Sequence, residues 1–378
     1  MSTATDRSRR ARRVLAGLAV VAASIGLAEA LVRLLLDPPG RWPVSEESPV
    51  IVEHPSLGYA LRPGATGHYT AGGHAARMRI NEQGWRDTPL PEAVRADVRM
   101  LAVGDSFTFG LGVDSTDPWP EQLERLLGDV PGRRAAVVNA GVPGYSARQM
   151  RQVVEALLPG LRPQVVLFGM NSETYWRVEA PYVVRAGQLV RSSALPDLTV
   201  GRHGLYHSPI VKWQWLNRLD VWLNQHFELG AHLLAVAYRL YGAVSGGGGA
   251  GAPAPAAAAR VDTADVARRL GPALAEMGRA AAAARRGGAR FVVLLINPQL
   301  EDGSFAPVQY AYNHAVGEFC RAEGIEVVDP LPVLVARGGG RPRYRAVDNY
   351  HWTPEAHRVA AELVYRYLEP GESPRGAP

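Results

Sequence analysis

The sequence is poor in several residue types, and each shortage excludes a class of protein. Cys320 is the only cysteine among 378 residues, which excludes an intrachain disulfide framework and a cysteine-rich zinc module. Lys212 is the only lysine among 41 basic residues, and no glycine-rich phosphate loop ending in Gly-Lys occurs. The net charge of +5 therefore rests on arginine, in a sequence also rich in Ala, Gly and Pro. This bias is typical of a GC-rich genome, so we expect no nucleic-acid partner.

The longest apolar run lies near the N-terminus, at residues 14–36. As a helix it would be about 35 Å long, enough to cross a hydrocarbon core of about 30 Å. Residues 7–13, directly before it, include five arginines, and such a basic flank stays in the cytoplasm. We predict a cytoplasmic tail at residues 1–13, a single-pass anchor in the cytoplasmic membrane at 14–36, and the bulk of the chain outside the cytoplasm.

Two alternatives to an uncleaved anchor stay open. Residues 28–30 (Ala-Glu-Ala) fit a signal-peptide cleavage site, although the apolar pattern resumes as far as residue 36. A buried helix of a soluble domain fits less well, given the basic flank and the length. Glu29 and Arg33 are four residues apart, so on a helix they share one face and can pair near the outer end.

The segments beyond the anchor differ in pattern. Residues 37–96 are predicted to form a Pro-rich tether and a small β-rich lead-in. Short apolar runs then alternate with helical patterns in residues 97–171 and 261–370. Such alternation predicts βαβ units and a parallel sheet, an α/β fold. The expected strands lie near residues 98–104, 135–139, 165–169, 290–296 and 325–328.

No βα repeat occurs in residues 172–260. A helical amphipathic insert fits this segment best, with a Trp-rich part near residues 205–241 followed by a Gly- and Ala-rich flexible linker. Packing over the core is its expected role, and a lid or membrane-surface contact is the alternative. Residues 371–378 are expected to be a disordered tail.

Polar residues follow three of the predicted strands and precede the last helix. They lie at residues 104–106, 139–144, 169–171 and 348–351. Because ligands bind at the carboxyl ends of strands in open parallel sheets, we expect these four groups to converge on one edge.

These residues fit nucleophilic catalysis at an ester carbonyl. Ser106 needs a base to take its proton, and His351 suits that role near neutral pH. Asp348, three residues earlier, can fix the tautomer of that imidazole and stabilise its charged form. The developing oxyanion needs preorganised donors, which the backbone N–H groups of Ser106 and Gly144 and the side-chain amide of Asn171 can supply.

The four groups together resemble the SGNH (GDSL-type) hydrolase family. Residues 104–107 (Gly-Asp-Ser-Phe) are similar to its nucleophile block, 139–144 to its glycine block, 169–171 to its asparagine block and 348–351 to its Asp-x-x-His block. The resemblance covers residues 97–170 and 288–368. It implies a three-layer α/β/α, flavodoxin-like fold and ester hydrolysis without metal or cofactor.

Three further runs resemble the membrane-anchored bacterial branch of that family. They are residues 57–59 (Leu-Gly-Tyr), 81–86 (Asn-Glu-Gln-Gly-Trp-Arg) and the longer run 104–113. One departure from the family pattern is Ser172, where the family commonly has Asp after the block-three Asn.

Other candidate residues have plainer explanations. His203 and His207 have metal-like spacing, but no third ligand stands out, so a polar loop is the better interpretation. His357 is expected to be a solvated or helix-packing residue. Glu301 and Asp302 lack a paired acid, so a glycosidase is unsupported. The structural alternatives for the catalytic set are a helix N-cap (Ser106), a turn former (Asp348) and a hydrogen-bonded structural histidine (His351).

Three functional hypotheses follow. The leading one is a serine esterase that removes an O-acyl group from an extracytoplasmic glycan or lipid through an acyl-enzyme on Ser106. The second is an O-acyltransferase that uses the same residues, with a sugar hydroxyl in place of water. The third is a non-catalytic binding protein on the same fold. The membrane, through residues 14–36, and an acylated glycan or lipid are the expected partners.

Overall fold

The computed structural model describes most of the chain outside the insert. The described residues are 2–35, 50–71, 74–87, 89–172, 182–185, 188–191, 199–201, 204–206, 229, 261–300, 302–344 and 350–369.

Thirteen strands and nine helices are assigned within these residues. The strands are β1 (Ile51–His54), β2 (Gly58–Leu61), β3 (Thr66–Ala71), β4 (His74–Arg79), β5 (Val98–Gly104), β6 (Ala135–Gly141), β7 (Val165–Asn171), β8 (Tyr182–Arg185), β9 (Gln188–Arg191), β10 (Thr199–Gly201), β11 (Gly204–Tyr206), β12 (Arg290–Ile296) and β13 (Glu326–Val328). The helices are α1 (Ser2–Leu35), α2 (Leu90–Ala93), α3 (Ser106–Phe109), α4 (Trp119–Gly128), α5 (Ala147–Leu161), α6 (Thr263–Arg286), α7 (Pro307–Ala322), α8 (Leu331–Gly338) and α9 (Pro354–Leu368).

Helix α1 contains the predicted apolar segment. Within it, Leu15–Leu35 is long and apolar enough to cross a membrane, with a mean hydropathy of 2.1, and none of that window is buried in the protein. This exposure counts against a buried helix of a soluble core, whereas a signal sequence would pass the same test. Arg33 donates to Glu29 at 2.7 Å, which confirms the predicted pair.

A five-stranded parallel sheet forms the centre of the fold. Its strand order is β13-β12-β7-β5-β6, so the first strand of the sheet, β5, lies between the second and third. This is the flavodoxin-like order, and it confirms the predicted α/β fold. The chain passes from β5 to β6 on one side and then crosses to β7 on the other side, so the strand order reverses at β5. The crevice at the carboxyl ends of these strands is therefore the expected ligand site.

Helices cover both faces of the sheet, which makes three layers. Successive residues of β5 point to opposite faces, so Leu101 and Val103 join one apolar core while Met100 and Ala102 join the other. Helices α5, α6 and α7 contribute to the first core, and α4, α8 and α9 to the second. Burial on both faces explains why these strands read as continuous apolar runs in the sequence.

The lead-in is formed by two antiparallel hairpins. Strand β1 pairs with β2, and β3 pairs with β4. Tyr59 on β2 is fully buried and contributes to the core shared with α5 and α6. Its hydroxyl donates to the Pro143 carbonyl at 2.9 Å, and the Tyr145 hydroxyl donates back to the Tyr59 carbonyl at 2.9 Å. The lead-in is therefore attached directly to the loop after β6.

The described part of the insert differs from the helical prediction. Residues 182–206 contain two antiparallel hairpins, β8–β9 and β10–β11, of which the first packs beside β1 and β2. The sequences Tyr-Val-Val-Arg and Gln-Leu-Val-Arg explain the first hairpin, because β-branched and aromatic residues favour strands. The Trp-rich stretch was predicted to be helical and the linker to be flexible. Of these segments the structure describes only strand β11, at the start of the Trp-rich stretch, and Leu229, which is helical.

Glu276 connects α6 to α5 through a cluster of arginines. Its carboxylate accepts from Arg151 at 2.6 Å, from Arg148 at 3.2 Å and from Arg279 at 2.8 Å. The residue is 2% exposed. Burial raises the pKa of Glu276, but the hydrogen bonds from Arg279, Arg151 and Arg148 outweigh that effect and hold the pKa at about 2. The charged carboxylate therefore stabilises the folded state.

We expect Glu276→Gln to lower the free energy of unfolding by about 3 kcal/mol at pH 7, because a folded pKa below the unfolded value stabilises the charged form. In the unsubstituted protein this contribution is present above about pH 4.5 and is lost as the pH falls toward 2, so the variant should lose that part of the pH dependence. Urea unfolding of the full-length protein in detergent at pH 7 and pH 3 measures both effects.

Glu318→Gln is the matched control, because Glu318 forms an exposed ion pair with Arg321 within α7. Exposed pairs contribute little, so its unfolding midpoint should stay close to that of the unsubstituted protein. Equal midpoints for the two variants at pH 7 would contradict the role given to Glu276.

Candidate active site

The serine of the predicted nucleophile group lies at the first turn of a short helix. Strand β5 ends at Gly104, and Asp105 caps α3 by accepting from the Phe107 backbone N–H at 3.0 Å. Ser106 is therefore the first residue of α3, and the alternative of Ser106 as its N-cap is wrong. Ser106 is only 8% exposed, at the carboxyl edge of the sheet.

Two glycines let α3 lie directly against the end of the sheet. A Cβ on Gly104 would be 1.9 Å from Thr108 Oγ1, and a Cβ on Gly169 would be 2.5 Å from the same atom. Real Cβ atoms do not approach so closely, so only glycine fits at these two strand positions. The packing of Thr108 thus explains the glycine in two of the four polar groups, at residues 104 and 169.

His351 reaches the serine from the segment before α9. Its Nε2 lies 2.8 Å from Ser106 Oγ, although the two residues are 245 positions apart in the chain. The next residue, Trp352, donates from Nε1 to the Asn297 carbonyl at 3.0 Å. The Phe107 ring lies 5.0 Å from the imidazole. These contacts hold the ring beside the hydroxyl, at the distance that proton transfer needs.

Asp348, the predicted partner of the imidazole, lies outside the described residues. Its role stays a prediction from the Asp-x-x-His spacing.

Asn171 lies at the end of β7, beside the nucleophile turn. Its Nδ2 donates to Asp105 Oδ2 at 3.1 Å and to the Tyr350 hydroxyl at 3.3 Å. Asp105 thus serves two purposes, since one carboxylate oxygen caps α3 and the other orients the Asn171 amide. The Gly-Asp-Ser motif contained this residue, but its sequence position alone did not indicate the link to Asn171.

Gly144 lies in the loop between β6 and α5. This loop is attached to the nucleophile turn because the Val142 N–H donates to the Gly104 carbonyl at 3.1 Å. Gly144 has a φ of 79°, in the left-handed region that glycine adopts without strain. The loop ends at Ser146, which caps α5 together with Gln149. The structure therefore brings Ser106, His351 and Asn171 to one edge of the sheet, with the loop of Gly144 attached beside them.

Two lead-in residues that sequence reasoning did not assign to the site hold its loops. Arg86 is 3% exposed and donates to the carbonyls of Phe109 at 3.1 Å, Gly110 at 2.5 Å and Val113 at 2.7 Å. Burial lowers the pKa of Arg86 to about 10, so the guanidinium stays charged near neutral pH. Asp87 accepts from the Asn139 N–H at 2.5 Å, at the end of β6. Arg86 belongs to the run at residues 81–86, whose resemblance to the membrane-anchored branch was the only sequence feature that pointed to it.

Of the three other histidines considered in the sequence, the structure describes His357. His357 is fully buried in α9, and its Nδ1 accepts from the Trp119 N–H at 3.3 Å, so it is a helix-packing residue and not a solvated one. Burial lowers its pKa to about 3, which keeps it neutral. His203 and His207 lie outside the described residues. Within the described ranges no group of three or more His, Cys, Asp or Glu side chains could hold a metal ion.

The fold and this edge of the sheet together define a hydrolase with a serine and a histidine in hydrogen-bond contact. Residues 102–359 match the sequence profile of the GDSL-like Lipase/Acylhydrolase family, well over half of the chain. The chain belongs to this family, and it is an enzyme that hydrolyses ester bonds. A search of curated proteins found no match.

Several solved structures are similar to the chain. TesA is 18% identical, with a TM-score of 0.40, over 72% of this chain and 98% of TesA. A putative lipolytic protein of the G-D-S-L family from Desulfitobacterium hafniense DCB-2 is 13% identical, with a TM-score of 0.37, over 71% of this chain and 97% of its own. A catalytic mutant of Axe2, an acetylxylan esterase from Geobacillus stearothermophilus, is 13% identical, with a TM-score of 0.41, over 75% and 98%.

Proposed function

We propose that the chain is a serine esterase that works through an acyl-enzyme on Ser106. The observation that carries this proposal is the 2.8 Å contact between Ser106 Oγ and His351 Nε2 in a chain of the acylhydrolase family. In the first half-reaction His351 takes the hydroxyl proton as Ser106 Oγ bonds to the acyl carbon. The tetrahedral intermediate then collapses, and the imidazolium gives the proton to the leaving alcohol.

Water completes the cycle in the second half-reaction. His351 takes a proton from water, the hydroxide oxygen bonds to the acyl carbon, and Ser106 leaves with the proton as the carboxylic acid is released. The Ser106 and Gly144 N–H groups and the Asn171 amide stabilise the oxyanion in both halves. Asp348 orients His351 and stabilises its charged form. The orientation of the Asn171 amide by Asp105 supports its part of this assignment.

The substrate that fits the chain as a whole is an O-acyl group on a glycan or lipid outside the cytoplasm. The apolar span Leu15–Leu35 and the arginines before it support an anchor with residues 1–13 inside the cell. In this arrangement residues 97–171 and 261–370 form the catalytic domain on the outer side of the membrane, joined to the anchor by residues 37–96. Residues 172–260 form the insert.

Fluorophosphonate labelling of the full-length protein in detergent tests the nucleophile. We expect one adduct per chain by intact mass, mapped to the peptide that contains Ser106, because only a serine activated by a base reacts readily with this probe. An adduct on another residue would contradict the assignment of Ser106. A protein that turns over no ester and forms no adduct would favour the non-catalytic alternative.

Product analysis separates hydrolysis from transfer. A p-nitrophenyl ester is turned over with and without an added sugar alcohol, and free acid and acylated sugar are both quantified. The esterase proposal predicts free acid as the main product at every sugar concentration. Acylated sugar as the main product at millimolar acceptor, against 55 M water, would replace hydrolysis with the O-acyltransferase alternative.

A further inference from the structure

The Tyr350 hydroxyl contacts the side chain of Asn171, which we propose as a donor to the oxyanion. A primary amide nitrogen carries two hydrogens. Asn171 Nδ2 donates to Asp105 Oδ2 at 3.1 Å and to the Tyr350 hydroxyl at 3.3 Å. The hydrogen on the Asp105 side orients the amide and lies between two buried groups. The other hydrogen, which points to Tyr350, is therefore the one that can bond to a substrate oxygen.

The phenol oxygen therefore lies at, or directly beside, the expected position of the oxyanion. At 3.3 Å the Asn171–Tyr350 contact is longer than the common range of N–H···O bonds. Hydrogen bonds to a charged oxygen are shorter and about twice as strong. A developing oxyanion would thus displace the phenol oxygen from this hydrogen.

The ring of Tyr350 is held next to the reacting atoms by two aromatic contacts. Its centroid lies 5.3 Å from that of Phe107, the residue after the nucleophile, and 4.9 Å from that of His351. Both pairs meet edge to face, which is a favourable geometry. Because the ring is held on these two sides, a small displacement leaves its hydroxyl beside the oxygen that replaced it. A phenol can both accept and donate a hydrogen bond.

We propose that Tyr350 is a further catalytic residue. Its hydroxyl accepts from Asn171 in the free enzyme and donates its own O–H to the oxyanion of the tetrahedral intermediate. The inference rests on the proposed acyl-enzyme mechanism, to which it adds one donor beyond the backbone and amide groups. It also gives the residue before His351 a specific function, which the Asp-x-x-His pattern leaves open.

Tyr350→Phe tests this proposal, because phenylalanine keeps the ring contacts and removes only the hydroxyl. With p-nitrophenyl acetate and the full-length protein in detergent, we expect kcat to fall about 10- to 100-fold. This is less than the roughly 10²- to 10³-fold loss typical of a single oxyanion-hole donor, because the backbone N–H groups and the Asn171 amide remain in Tyr350→Phe. KM should change much less, and the melting temperature should stay close to that of the unsubstituted enzyme. Tyr310→Phe, at an exposed position on α7, is the matched control and should leave kcat unchanged.

A trifluoromethyl ketone separates a catalytic from a structural effect. It bonds to an active serine as a tetrahedral oxyanion, so its inhibition constant should rise in Tyr350→Phe by the same factor by which kcat/KM falls. An unchanged or higher kcat in Tyr350→Phe would overturn the proposal, as would a lower kcat without weaker inhibition. If Ser106 is still labelled by the fluorophosphonate, either of these results would refute the role of Tyr350 but not the esterase mechanism. Failure of the unsubstituted enzyme to be labelled would refute the mechanism itself.

Discussion

Replacing Ser106 with alanine is expected to lower kcat for a p-nitrophenyl ester by at least about 10³-fold, the largest effect that we predict for this protein. The substitution removes the oxygen that lies 2.8 Å from His351 Nε2 and so removes the acyl-enzyme route altogether. The folded structure should persist, because the Ser106 N–H and the cap formed by Asp105 are retained. Initial rates with the full-length protein in detergent measure the loss, and melting temperatures report the fold.

Ser115→Ala is the matched control for Ser106→Ala. Ser115 is exposed, in the loop before α4, so the same loss of a hydroxyl should leave kcat unchanged. The fluorophosphonate adduct should be absent from Ser106→Ala and present in Ser115→Ala. Turnover in Ser106→Ala at the rate of the unsubstituted protein would refute Ser106 as the nucleophile.

Gly141→Ala is expected to have the second-largest effect, and for a different physical reason. A Cβ at the end of β6 would lie 2.3 Å from the Phe109 backbone nitrogen and 2.7 Å from the Thr108 carbonyl carbon. These are backbone atoms of α3, so no side-chain rotation relieves the clash. The nucleophile helix must move, and a displacement of about 1 Å costs on the order of 100-fold in rate.

Two measurements distinguish this effect from simple unfolding. We expect Gly141→Ala to lose roughly 2–3 kcal/mol of unfolding free energy by overpacking, while the protein still folds and kcat falls about 100-fold. Gly128→Ala is the matched control, because a Cβ there would meet no atom within 4 Å. A Gly141→Ala enzyme with unchanged kcat would show that α3 and β6 tolerate separation, contrary to the packing described above.

The elements of the central fold could be predicted from the sequence because their signals are local. Strands buried on both faces read as apolar runs, and helices of the outer layers carry apolar residues on one side only. Residues at the ends of these strands converge for a general reason, since parallel strands present their carboxyl ends to the same edge. Ser106, Gly144 and Asn171 were predicted in this way, and His351 from its place before the last helix; their catalytic roles stay predictions.

The hairpins of the insert and the lead-in residues of the site were less predictable. Strands of three or four residues give too little periodicity to outweigh the surrounding helical pattern, so β8–β11 were missed. Arg86 donates to the Phe109 carbonyl and Asp87 accepts from the Asn139 N–H. Every residue type has these backbone groups, so such partners cannot be recognised in the sequence. The run that contains Arg86 was visible, but its target was not.

The class of fold, the order of the polar groups and the residue types that can carry acyl chemistry could all be predicted from the amino-acid sequence. Which atoms meet depends on the folded structure. It placed His351 against Ser106 across 245 positions, assigned the helix cap to Asp105, and set the Tyr350 hydroxyl on the Asn171 amide. The physical reason is that such contacts depend on how whole strands and helices pack, and differences of 1 Å in that packing decide whether a hydrogen bond forms.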